Sequence, residues 1–193
     1  MAEPDDSTIT GWALAAKAGD RAAAAAFIRA TQQQVHRFLA HLVHVREAED
    51  LTQETYLRAM RALPRFAARS SARTWLYAIA RRVAADHLRS AGARPRLATL
   101  DDWQAAADTA RPGHRFEEQV VLRDLLDGLA PDRRLAFLAT QLLGLSYAEA
   151  AEVCDCPIGT VRSRVARARD DLVRALRELP GRPSRRRVTG EGG

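Results

Sequence analysis

Over Phe27–Leu88 and again over Val120–Leu176 the apolar residues return every three or four positions, and no stretch alternates apolar with polar residues in a β-branched run. That spacing matches the turn of an α-helix and leaves no pattern for a sheet, so an all-α chain is expected. Phe27, Val35, Phe38, Leu39 and Leu42 share a stripe within 20–63, and Leu51, Tyr56, Leu57 and Met60 renew it after Glu47. Pro64 stops that run, because proline has no N–H for the helical ladder. Ser70-Ser71 opens a further helix, with Trp75, Leu76, Ile79, Val83 and Leu88 on one side. Periodicity lapses over 90–116, where Gly92, Pro95, Pro112 and Gly113 fall, apart from one candidate helical turn within Leu97–Ala107. It returns with Val120, Val121, Leu125, Leu126 and Leu129, then over Arg133 to Leu143, Ser146 to Cys154 and about Pro157 to Leu179. The pattern predicts two small helical domains, 20–90 and 116–178, joined by a flexible linker at 91–115. Residues 1–19 read as a disordered polar leader, and 179–193 as a disordered basic tail rich in Pro and Gly.

Charge narrows the partner class. Of 193 residues, 30 are Lys or Arg and 24 are Asp or Glu, a formal net charge of +6. Lys17 is the single lysine, so the excess is arginine. Guanidinium forks bind phosphates and guanine edges bidentately, which makes nucleic acid the leading partner. No run approaches the ~18 apolar residues of a membrane span, so no membrane insertion is expected. The opening MAEPDDSTITGW has no basic n-region or apolar h-region, which predicts a cytoplasmic protein. Cys154 and Cys156 lie too close in sequence for good disulfide geometry. No second Cys pair and no nearby His completes a zinc set, so neither metal nor cofactor is expected. His36, His41 and His44 read as surface or half-buried residues. No catalytic constellation or phosphate-binding Gly loop occurs, so no enzyme is expected.

The strongest local signal is LSYAEAAEVCDCPIGTVRSRVARARDDL, residues 145–172. Ser146 and Glu149 fit a capping box. Ala148, Ala150 and Ala151 make the following helix small-faced, so another helix can cross it closely. Asp155-Cys156-Pro157 makes a turn, with Pro157 suited to the first position of the next helix. That helix carries Arg162, Arg164, Arg167 and Arg169 beside Val161 and Val165. Together these features predict a helix-turn-helix over about 147–166, with the second helix as reader of a DNA groove. The bland alternative is an amphipathic helix pair with a solvated arginine face. At about 100° per residue, Arg162 and Arg164 flank the Val161 stripe on opposite sides, and Ser163 faces away from it. Rotation alone does not choose between the two arginines.

Two further segments differ in charge. Glu47, Glu49, Asp50 and Glu54 form an acidic cluster ahead of Arg58 and Arg61. From spacing alone a solvated face with pairs such as Glu54–Arg58 is the favoured account of it. Residues 61–96 carry nine arginines against Asp86 alone, with Trp75 and Tyr77 among them. Arginine interleaved with aromatics suits stacking on bases beside neutralised phosphates, although Trp75 could equally be core.

AEDLTQETYLRAMRALPRF followed by SSARTWLYAIARRVAADHLR resembles domain 2 of the extracytoplasmic-function (ECF) sigma factors of the sigma-70 family. LSYAEAAEVCDCPIGTVRSRVARARDDL resembles their domain 4. The resemblance covers about 20–90 and 116–178, in the family's order and without room for its middle domain. It implies an alternative RNA polymerase sigma factor that reads −35 and −10 promoter elements. Its implied partners are promoter DNA and the polymerase core, through the β′ clamp helices and the β flap, with an anti-sigma factor as a further candidate. It assigns Asp50, Leu51, Thr52, Gln53, Glu54 and Arg58 to core binding. Reading and melting of the −10 element fall to Arg65, Arg69, Arg73, Trp75, Tyr77, Arg81, Arg82 and Arg89. Thr160, Arg162, Ser163, Arg164 and Arg167 fall to the −35 element. The linker would thread toward the RNA exit path. Phe66-Ala67-Ala68-Arg69 departs from the glycine- and acid-bearing loop usual in the family. The competing reading is a stand-alone helix-turn-helix regulator, which would bind a promoter duplex without polymerase.

Overall fold

The computed structural model describes residues 4–93 and 114–178. The central part of the expected linker and the whole tail lie outside these described residues. Eight α-helices are described: α1 (Asp6–Lys17), α2 (Arg21–Leu42), α3 (Val45–Ala62), α4 (Ala72–Ala93), α5 (His114–Asp127), α6 (Pro131–Gln141), α7 (Tyr147–Cys154) and α8 (Ile158–Glu178). A single 3₁₀ turn, Leu63–Arg65, follows α3 around Pro64.

The first helix corrects the expectation of a disordered leader over 1–19. The Asp5 carboxylate caps α1 by accepting from the Thr8 N–H at 2.8 Å. Ile9 and Ala13 are fully buried, and Trp12 and Ala16 pack beside them. The stripe is short, and Gly11 interrupts it with the poorest helix propensity after proline. Docking of Ile9 and Ala13 on α2 and α4 outweighs that weakness.

In the N-terminal half, α1–α4 close around Phe27, Val35, Phe38, Leu39, Leu76, Tyr77 and Val83. Asp20 caps α2 by accepting from Ala22 N–H and Ala23 N–H. In the C-terminal half, α5–α8 close around Leu126, Leu129, Leu138, Val153, Val161 and Val165. Ala136, Ala139, Ala150 and Ala168 are wholly buried there, so the helices approach closely. Gly144, at φ +66°, ends the turn after α6 in the left-handed region that glycine enters without penalty.

The two halves meet along α4 and α7. Thr74 Oγ1 donates to Glu149 Oε1 at 3.4 Å, and Arg81 Nη2 lies 3.6 Å from Asp155 Oδ2. Arg134 Nη1 reaches the His41 carbonyl at 3.5 Å.

Candidate nucleic-acid and partner interface

On α3 the inward stripe is Ala48, Leu51, Thr55 and Ala59. Leu51, assigned above to partner binding, is therefore mainly core. Thr52 Oγ1 donates to the Ala48 carbonyl at 2.6 Å and stays half-buried. Glu49, Asp50, Gln53 and Leu57 face out. Glu54 and Arg58 are tied into a chain: Arg58 Nε donates to Glu54 at 2.7 Å, and Arg58 Nη1 to Asp86 on α4 at 2.6 Å. Asp86, then Glu54, hold the Arg58 guanidinium above its ordinary pKa, and Arg58 holds the Asp86 carboxyl below its own. Across a shallow polar groove from Glu49, Thr52 and Gln53 stand Arg29, Gln32, Gln33 and His36 of α2. Sequence reasoning assigned none of the four to a site and read His36 only as a surface or half-buried residue, although the polar positions between Phe27 and Val35 were the available signal for the other three.

The arginine-rich segment divides by burial. Arg65, Arg69 and Arg82 are exposed and form no ion pair with another described residue. Arg89 pairs with Asp86 at 2.5 Å, Arg73 with Asp6 at 3.3 Å, and Arg81 with Asp155. Trp75 is half-buried, its ring centroid 4.9 Å from that of Phe66. Tyr77 requires a correction. It is fully buried, edge-on to Phe38, with its hydroxyl donating to Gln34 Oε1 at 2.7 Å, so it cannot stack on a base. Between the 3₁₀ turn and α4 runs the loop 66–71. Ala68 in this loop sits at φ +51°, a conformation costing a non-glycine residue about 1–2 kcal/mol.

The C-terminal motif is built from local signals. Ser146 Oγ accepts from Glu149 N–H at 3.3 Å, while Glu149 Oε2 accepts from Ser146 N–H at 2.9 Å, a reciprocal capping box. Burial pulls the Glu149 carboxyl up, but donors from Ser146 and Thr74 hold it net below its usual value. Asp155, at φ +54°, ends α7. The Pro157 carbonyl accepts from Thr160 N–H and Val161 N–H, so Pro157 sits one position before the helix instead of at its first residue. On α8, Val161, Val165 and Ala168 face the core. Ser163 and Arg167 are exposed, and Thr160 is half-buried. Arg162 is exposed with its guanidinium 5.7 Å from the Tyr147 ring centre. Arg164 is held back: Nη2 donates to Asp132 at 2.5 Å and Nη1 to Cys156 Sγ at 3.4 Å. The structure thus separates two arginines that helical rotation left equivalent. Burial, with Cys156 beside it, pushes the Cys154 thiol up to about 12, so it packs as a small apolar group.

Sigma-70 region 2 matches residues 27–94, and Sigma-70, region 4 matches 119–172. A curated relative, the ECF RNA polymerase sigma factor SigC of Mycobacterium tuberculosis, is 55% identical over 169 residues, covering 88% of this chain and 91% of its own. The chain belongs to the ECF group of the sigma-70 family. It is an alternative RNA polymerase sigma factor. The ECF RNA polymerase sigma-E factor of Escherichia coli K12 is 33% identical, covering 83% of this sigma factor and 90% of its own length. Among solved structures, the sigma factor RpoE in complex with the anti-sigma factor NepR from Bartonella quintana matches with TM-score 0.61 at 26% identity, over 78% of this chain and 94% of that one. CnrH, in complex with the cytosolic domain of CnrY, shares the fold with TM-score 0.69 at 21% identity, over 90% and 98%.

Proposed function

We propose that this sigma factor divides initiation among three surfaces. The exposed face of α3, Asp50 and Gln53 with Glu49, docks on the β′ clamp helices of the polymerase. Glu54 and Arg58 support that face by tying α3 to α4. Arg65 and Arg69, at the loop 66–71 beside the Trp75–Phe66 stack, engage the −10 element together with Arg82 further along α4. Removing a base from the duplex stack costs a few kcal/mol, which a prepared pocket and phosphate contacts return. Arg162, Ser163 and Arg167 of α8 read the −35 duplex, while Arg164 keeps α8 fixed to α6. The trough between α5 and α8, where Leu125, Leu129 and Ala175 sit beside the acids Asp124, Asp171 and Glu178, suits the β flap. An anti-sigma factor is a further partner class, favoured by the likeness to RpoE in its complex with NepR. The working compartment is that of the polymerase, the cytoplasm. No helix among the described residues is long and apolar enough to cross a membrane.

The capped helix-turn-helix, with Arg162, Ser163 and Arg167 outward, carries this reading. Its test is run-off transcription with core polymerase on a promoter library. Transcription that depends on both elements is expected, whereas strong duplex binding without polymerase would favour a stand-alone regulator. For core docking, Asp50→Arg with Gln53→Arg should abolish pull-down of core polymerase while leaving the circular dichroism melt in place. Glu54 is spared because an arginine there would also break the Arg58 tie. Normal pull-down by this variant would overturn the docking assignment.

A further inference from the structure

We infer that α1 braces the loop 66–71, and that Lys17 is a positioning residue for base selection in the −10 element. The inference rests on the proposed reading of this loop as part of the −10 reader. Both ends of the loop are held by α1. At its start, Lys17 Nζ donates to the Phe66 carbonyl at 2.8 Å, across 49 positions of sequence. At its end, Thr10 Oγ1 accepts from the Ala72 N–H at 3.0 Å. Ala72 opens α4, and its N–H is one of the first-turn donors that have no partner within their own helix. Thr10 thus caps α4 from 62 positions away, while Ser71 Oγ caps it locally by accepting from Thr74 N–H at 3.1 Å. Arg73 adds a third tie, with Nη1 3.3 Å from Asp6 Oδ1 and Nη2 donating to the Pro4 carbonyl at 3.3 Å.

The loop needs such ties. It contains no glycine, yet Ala68 takes φ +51°, and Ala67, Ala68 and Arg69 are exposed. A left-handed alanine persists only where its surroundings over-determine it. The Phe66 ring is fixed against Trp75, so the grip of Lys17 on the Phe66 carbonyl sets the direction in which the chain leaves that anchor. Without the ammonium that peptide can rotate, and the surface that receives a base is no longer prepared before binding.

The test uses the full-length protein with core polymerase and a promoter library randomised at −10. Lys17→Met should lower transcription about tenfold on duplex templates and less than twofold on templates pre-melted at −10. It should also broaden base preference there. Lys17→Arg, which keeps a donor of similar reach, should restore both. Core pull-down and the thermal melt should stay near the parent values, because Lys17 is exposed. Unchanged −10 preference in Lys17→Met overturns the brace. So does a uniform loss across all sequences with a lower salt slope, since that marks a plain phosphate contact. Arg69→Ala separates the two levels of inference. If it broadens −10 preference and Lys17→Met does not, the loop reads DNA without the brace. If it too changes nothing, the loop is not the reader and the brace falls with it.

Discussion

The two candidate DNA-reading segments obtain their shapes in opposite ways. In α8 the instructions are local: a capping box at Ser146 and Glu149, a left-handed Asp155, a Pro157 carbonyl and an inward Val161–Val165 stripe. In the loop 66–71 the ties at its two ends are remote, because Lys17 and Thr10 lie 49 and 62 positions from Phe66 and Ala72, beside the nearer Phe66–Trp75 stack. A helix presents base-reading side chains at fixed intervals and tolerates loss of one tie. A loop held at its ends can form a closer-fitting receptor for a single base, and it depends on each tie.

The contrast orders the expected effects of substitution. Trp75→Ala removes the floor under Phe66 and should cost about 3 kcal/mol, at the low end for a buried aromatic because Trp75 is half-exposed. Transcription should fall more on duplex than on pre-melted templates, with −35 preference unchanged. A matching change in −35 preference would show that loop and helix are not independent. Arg162→Ala should cost about 1–2 kcal/mol of −35 discrimination, whereas Arg164→Ala should leave discrimination in place and lower the melting temperature slightly. Competition binding across a −35 library separates these outcomes, and reversal of the two would place the reader on the other flank of α8.

Ser146→Ala should cost about 1 kcal/mol in the C-terminal half. Glu149 also makes stability there depend on pH. Its carboxyl is held below the reference value of 4.5, so its contribution is present above that pH and lost as pH falls through the lowered value. Ser146→Ala should flatten this acid limb, measured by melts from pH 6 to about 3. Ala68→Gly is expected to have the smallest effect on stability, a gain below about 1 kcal/mol as strain relief offsets the added freedom of the unfolded chain. It should nevertheless broaden −10 preference. A sharper preference would mean that the left-handed kink hinders reading.

This division also explains what the sequence made legible. The helix-turn-helix could be read because its signals, from the Ser146 cap to the Val165 stripe, follow one another along a single short run of sequence. Lys17 and Thr10 could not be assigned, since nothing near them names Phe66 or Ala72 as a partner. Tyr77 was misplaced because an aromatic among arginines fits a core as well as a base platform, and only its burial against Phe38 decides. The role of Arg164 depends on Asp132, 32 positions earlier, which helical rotation does not reveal. The α1 stripe escaped because a short run around Gly11 has little periodicity before it docks.

The grip of Lys17 on the Phe66 carbonyl has a consequence for chemical labelling. As the chain's single lysine, Lys17 offers an amine-directed acylating reagent one side-chain target. While Nζ rests 2.8 Å from the Phe66 carbonyl, that peptide occupies one side of the nitrogen and narrows the approach of the reagent. Labelling at a fixed pH should therefore speed up in a variant whose loop lets go of Nζ, and its rate becomes a clock for local opening. Mass spectrometry of one tryptic fragment would follow that clock without DNA or polymerase present.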